Sequence, residues 1–171
     1  PAMLIAGRII ETLGTKNGYA CAISIWSLAA IIHGAAIRIG QSISVVLGWF
    51  GIAGFSISVL GFMFSRALLA FGEAGNFPAA IKTVAEWFPK KERALATGIF
   101  NSGSNIGAII APLTVPFIAK EWGWQWAFIL TGLIGFVWLI FWFLIYEVPK
   151  KHKRLSQPEF DYIHSDVDEK V

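Results

Sequence analysis

Arg66 and Glu73 lie in one apolar run, VLGFMFSRALLAFGEAGNFPAAI, which then breaks off in EWFPKKERA. An ionisable side chain near the centre of a membrane helix costs roughly 2.5–3.5 kcal/mol on insertion scales, so a run that keeps two of them points to a use. The seven residues of helix from one to the other advance ~10.5 Å and return to within ~20° of the starting direction. The two side chains therefore share a face but are too far apart to pair directly. Arginine carries a planar fork of donors, keeps its charge, and suits a carboxylate. A carboxyl withdrawn from water favours its neutral form, whereas a nearby cation favours its charged form, so Glu73 can be poised to exchange a proton. The chemistry indicated is an organic anion held at Arg66 while a proton moves on and off Glu73. The alternative is that each charge pairs with a neighbouring helix.

Further polar residues accompany this pair. Asn76 and Phe77, three and four residues beyond Glu73, share its helical face, and Phe77 suits packing as well as a cavity wall. Asn101, Ser104 and Asn105 form a stripe at helical spacing, suited to sugar hydroxyls and equally to hydrogen bonds between helices. Lys82 and Glu86 lie near the end of the run, where long side chains snorkel to the boundary, and read as structural. Glu11 is placed to cap a helix N-terminus or to pair with Arg93, as a conformational latch. His33, His152 and His164 are scattered without carboxylates at ligand spacing, so no metal site is expected. Cys21 is the single cysteine, and it supports neither a disulfide nor a thiolate metal site. GEAGN is not a phosphate-cradling glycine loop, and no pairing of nucleophile with base stands out.

The elements that position these residues follow from composition. Of 171 residues, 56% are hydrophobic and 15% charged, and the mean hydropathy is +0.62. Stretches of about 20 apolar residues recur, the length that a ~30 Å hydrocarbon core requires of a helix. Most have no polar face for water, which argues against a soluble helical core. Membrane helices are expected over about 1–10 (partial), 19–39, 59–87, 94–118 and 126–146, with 147–171 as a cytoplasmic central loop. The net charge of +3 lies in cations clustered in short connections, as topology requires, so no nucleic-acid partner is expected. One crossing between Arg38 and Trp87 places Arg8 and Lys16, then Lys90, Lys91 and Arg93, then Lys150–Arg154, on one side of the membrane. Residues Ser42 to Ser58 then read as an extension or interfacial segment on the other side. Pro78 should bend the helix that carries it. Gly98, Gly103, Gly107 and Ala111 suit close helix contact. Trp122, Trp124 and Trp126 suit the membrane interface. The chain opens on Pro1 in mid-hydrophobic stretch and reads as an excerpt of a longer protein.

The strings GRIIETLGTKNG, FSRALLAFGEAGNFPAA, EWFPKKERALATGIFNSGSNIGA and LSQPEFDYI together resemble the major facilitator superfamily, and within it the hexuronate transporters of the anion:cation symporter branch. The first string is similar to the family's G-x-x-x-D-x-x-G loop motif at Gly7, Glu11 and Gly14, with Glu for the usual Asp. More specific are R-x-L-L-x-x-G-E-x-x-x-x-P at Arg66, Leu68, Leu69, Gly72, Glu73 and Pro78, and W-F-P-x-x-E-R-A from Trp87 to Ala94. The resemblance implies an all-α polytopic transmembrane bundle, the N-terminal half of a major facilitator fold, covering helices two (tail) to six of twelve. It implies substrate binding at Arg66 and proton coupling at Glu73, H⁺ as the coupling ion and no cofactor. Gly40 to Ser58 exceeds the short connection usual in the branch.

The expectation is a secondary transporter in a bacterial inner membrane, performing proton-coupled symport of an organic anion. A hexuronate leads, with an aldonate or another small carboxylate as the nearest rival. From other classes, a non-transporting scaffold or sensor would move no solute, and an intramembrane enzyme would need a nucleophile or metal cluster at membrane depth.

Overall fold

The computed structural model describes residues 2–165. Pro1 of the first expected helix and residues 166–171 of the expected loop lie outside the described residues. All regular structure among the described residues is helical: α1 (Ala2–His33), α2 (Ala36–Trp49), α3 (Ile57–Trp87), α4 (Lys90–Glu121), α5 (Trp124–Ile145), a 3-10 turn at Pro149–Lys151, and α6 (Gln157–Ile163). Three of these, α3, α4 and α5, are each long and apolar enough to cross a membrane. Ile10–His33 and α2 pass that test only as a pair, with an 82° bend between them.

The segment GRIIETLGTKNG is helical except for a break at Gly14, whose φ of 75° is a left-handed conformation that glycine adopts without a side-chain clash. The next helix ends at His33, earlier than the expected 39. There Gly34 and Ala35 donate to the Ile31 and Ile32 carbonyls in tight i to i−3 bonds, and the chain turns into α2. Pro78 is accommodated inside α3 without ending it, as are Pro112 and Pro116 in α4.

In lipid, helices gain little from burying apolar surface against one another, and close backbone approach over small residues takes over. α1 is held this way from two sides. A Cβ at Gly72 of α3 would come within 2.6 Å of the Trp26 Cα, and one at Gly132 of α5 within 2.5 Å of the Ser27 carbonyl oxygen. α2 crosses the start of α3 at a second such contact, where a Cβ on Gly40 would strike the Ile57 carbonyl and one on Gly61 the Ala36 carbonyl. Several hydroxyls inside the bundle satisfy themselves locally, although buried Ser27 Oγ has no hydrogen bond among the described residues. Ser24, Ser65, Thr83 and Thr131 donate to the carbonyls of Ala20, Gly61, Ala79 and Ala127, one turn back.

α4 is the exception to this close packing. Nothing lies within 4 Å of a Cβ built on Gly98, Gly103 or Gly107, and no residue of α4 is buried. The small residues expected to meet another helix therefore find none among the described residues. α4 touches its neighbours through larger groups, as where Phe77 of α3 meets Phe100 at 6.3 Å between ring centres.

Aromatic groups mark the two ends of the bundle. His33, Phe62, Trp124 and Phe128 gather at one end, with the His33 and Phe128 rings stacked 5.0 Å apart. Tyr19, Trp138, Trp142 and Tyr146 run toward the other, with the last two stacked at 3.9 Å. The second end also holds Lys16, Lys90, Lys91, Arg93 and Lys150, and is called the basic end below.

Candidate functional site

α3 buries Gly61, Ser65, Gly72, Gly75, Ala79 and Ala80, the small-residue stripe that meets α1 and α2. Arg66 and Glu73 each follow a member of that stripe by one residue, which turns them about 100° away from it. Both are exposed, as are Val59, Met63, Ala70 and Phe77 on the same face. Neither charged head has a hydrogen-bond or ion-pair partner among the described residues. Three residues beyond Glu73, Asn76 Oδ1 is buried without a hydrogen bond.

The Phe77–Phe100 contact sets α3 and α4 side by side at one level. Glu73 lies four residues before Phe77 and Ser104 four residues after Phe100. The helices run in opposite directions, so both positions are displaced by ~6 Å the same way. Asn101, Ser104 and Asn105 thus stand at about the height of Glu73, all three exposed. Ser104 Oγ donates to the Asn101 carbonyl at 2.6 Å, leaving both asparagine amides open. The result is a wall of α3 and α4 with a cation, a carboxyl and amides, bare on one side.

Glu11 and Arg93 are not brought together. Arg93 spends its guanidinium on the end of α3, donating from Nε to the Phe88 carbonyl at 3.0 Å and from Nη2 to the Ala85 carbonyl at 2.9 Å. Those carbonyls have no helical partner, and a cation there is also favoured by the helix dipole. Glu11 is exposed, and Gly7 and Gly14 flank it along α1, with only Gly14 departing from helical geometry.

The basic end carries a network that sequence spacing did not reveal. Glu86, near the end of α3, accepts from the hydroxyl of Thr15 on α1 and, at 2.6 Å, from the hydroxyl of Tyr146 just after α5. Beside it Lys16 pairs with Glu147 at 3.0 Å, and Trp142 Nε1 donates to the Lys16 carbonyl at 3.0 Å. The Lys16 hydrogen bond, with that of the Val148 N–H, holds the Glu147 carboxyl below the usual carboxylate range. These contacts join residues 60 to 131 positions apart in the chain, so only polar residues at the ends of apolar runs hinted at them.

The charged stretch after Glu147 also has structure. Ser156 and Glu159 form a capping box at the start of α6. Tyr162 of α6 donates to Glu92, its ring lies 4.7 Å from Lys91 Nζ, and His152 meets Trp87 edge to face at 5.3 Å. α6 is thereby attached to the corner between α3 and α4.

A family model described as Major Facilitator Superfamily matches residues 1–167. The hexuronate transporter of Escherichia coli K12 is 38% identical over 159 residues, which are 93% of this chain and 32% of the relative. The galacturonate transporter of Dickeya chrysanthemi is 37% identical over 161 residues, 94% of this chain and 41% of the relative. The D-galactonate transporter of Escherichia coli O6:H1 is 32% identical over 158 residues, 92% and 32% respectively. The chain thus spans between a third and two fifths of the length of these relatives, all named as transporters rather than enzymes. A helical bundle with apolar spans, a match along nearly its whole length and relatives at this identity lead to one assignment: the chain belongs to the major facilitator superfamily.

Proposed function

We propose that this chain forms one wall of a proton-coupled symporter for an organic anion, a hexuronate such as glucuronate or galacturonate, in a bacterial inner membrane. The single observation that carries the reading is the pair Arg66 and Glu73: on one exposed face of a membrane-length helix, neither charge has a partner among the described residues. Leaving such charges against lipid costs several kcal/mol, so a water-filled passage, a substrate or the remainder of the transporter must face them.

In this reading Arg66 takes the substrate carboxylate through its planar fork, and Asn76, Asn101, Ser104 and Asn105 supply donors and acceptors for hydroxyls. Glu73 carries the coupled proton. Its charged form repels the substrate carboxylate from the same face, and its neutral form removes that repulsion, so protonation sets when the substrate binds and leaves. Alternating access rocks this bundle against the second half of the transporter, with Gly7, Glu11 and Gly14 as the latch at the basic, cytoplasmic end while Arg93 stays on the end of α3. A hexuronate is favoured over an aldonate because the relatives named for hexuronate and galacturonate are 38% and 37% identical, against 32% for the one named for galactonate.

The test is uptake of labelled glucuronate, galacturonate and galactonate by the full-length protein in vesicles, with and without an inward proton gradient. Gradient-driven accumulation of a uronate is expected. Movement of no solute favours the scaffold or sensor, and accumulation of galactonate alone favours the aldonate reading.

A further inference from the structure

We propose that the cavity at the end of the bundle away from the basic cluster binds the head group of an anionic phospholipid, with Arg38 on its phosphate and the amides of Gln41 and Gln125 on head-group hydroxyls. The cavity has a volume of about 550 Å³ and lies where α2 leaves α1 and meets the start of α5, lined chiefly by Gly34, Ile37, Arg38, Gln41, Trp124 and Gln125.

Three observations specify the occupant. First, the Arg38 guanidinium and the amides of Gln41 and Gln125 have no hydrogen-bond partner among the described residues, and no acidic side chain lines the cavity. A guanidinium unopposed by a carboxylate suits a phosphate diester, which accepts two of its N–H groups side by side. Each glutamine amide offers a donor and an acceptor, the complement of a glycerol hydroxyl. The ammonium of an ethanolamine or choline head would find no carboxylate there.

Second, the cavity sits at the end of the bundle opposite the basic cluster, beside the N-terminal ends of α3 and α5. α2 turns 82° from the helix before it, so it lies close to the membrane plane when α1 crosses. The Gly40–Gly61 crossing fixes it against the first turn of α3, the boundary of that span.

Third, the chain next to the cavity is dressed for acyl chains. Beyond the polar first turns of α2, Val45, Val46, Trp49, Phe50, Ile52 and Phe55 are all exposed, Trp49 by 80% and Phe50 by 75%. A free anion would use the polar cavity and leave that apolar surface bare. A lipid covers both, and indoles favour this boundary. Gly40 to Ser58 thus acquires a use.

The experiment is native mass spectrometry of the full-length protein titrated with phosphatidylglycerol, with phosphatidylethanolamine and with inorganic phosphate. One phosphatidylglycerol is expected to bind more tightly than phosphatidylethanolamine. Arg38→Gln should weaken it about tenfold, ~1.4 kcal/mol, Arg38→Lys should weaken it less, and Lys120→Gln, a cation not lining the cavity, should leave it unchanged. A folded Arg38→Gln protein that holds phosphatidylglycerol as well as the wild type overturns the proposal. So does equal binding of the two lipids, or displacement by equimolar inorganic phosphate, which would mark a free-anion site. If Arg38→Gln does not fold, the Gln41→Ala/Gln125→Ala protein gives the same decision, with several-fold loss expected and no loss fatal. No transported solute enters the assay, so its result is independent of the transport reading.

Discussion

Glu86 is expected to hold the basic ends of α1, α3 and α5 together, and the strength of that tie can be worked out. Its carboxylate accepts from Thr15, which is 2% exposed, and from Tyr146, which is 9% exposed. Hydrogen bonds to a charged group contribute about 1.5–3 kcal/mol in soluble proteins. Polar contacts between membrane helices average only ~0.6 and reach ~1.7, because the unfolded chain in the membrane also finds partners. The second figure governs here, since both donors lie at the ends of membrane helices. Glu86→Ala should therefore destabilise by about 1–3 kcal/mol for two contacts, and Tyr146→Phe by about 0.6–1.7. Because both changes remove the same bond, the double variant should fall short of their sum by about 1 kcal/mol, beyond the ~0.5 kcal/mol scatter of independent sites. Unfolding of the full-length protein in mixed micelles by rising detergent reads all four states. If Tyr146→Phe costs as much in the Glu86→Ala background as in the wild type, the tie does not exist in the membrane.

Other perturbations separate the tightly packed helices from the open one. Gly72→Val sets a branched side chain against the Trp26 backbone and should cost about 1–3 kcal/mol or more by overpacking; Gly103→Val, with open space around it within this chain, should cost less in the same unfolding assay. The Glu147 carboxyl is held below its ordinary range by Lys16, so its contribution is present above the unfolded-state value and fades as pH falls through the lower folded one. Unfolding midpoints for wild type and Lys16→Met should accordingly differ at neutral pH and converge in acid; a gap independent of pH would contradict that sign. Ser156→Ala removes the capping box of α6 and should raise amide exchange across Gln157–Ile163, with protection unchanged if the cap is idle.

The three helices long and apolar enough to cross a membrane, α3, α4 and α5, were legible because length and apolarity are written locally in each run, whereas the expected span 19–39 is cut short by the bend after His33. Arg66 and Glu73 stood out for the same reason, as charges where charge is costly. What depends on tertiary approach was not legible. Thr15, Glu86 and Tyr146 carry no spacing signal, and the position of Glu86 near the end of an apolar run suits snorkelling as well as it suits the two hydroxyl donors that reach it from α1 and the end of α5. The crossing of α2 over α3 depends on Gly40 and Gly61, and their pairing follows from the bend after His33 rather than from any local pattern. Gly98, Gly103 and Gly107 show the opposite case, where residues with the right chemistry for helix contact have no neighbour within this chain. The charged stretch beyond Glu147 looked like a plain connector, although Ser156 and Glu159 already carried the capping-box spacing in SQPE.

The central claim is that Glu73 carries the coupled proton and Arg66 the anion. Labelled hexuronate movement by the full-length protein in vesicles tests it most directly, comparing gradient-driven accumulation with exchange against unlabelled substrate. Glu73→Gln should exchange without accumulating, and Arg66→Ala should do neither. Normal accumulation by either variant would contradict its assigned role.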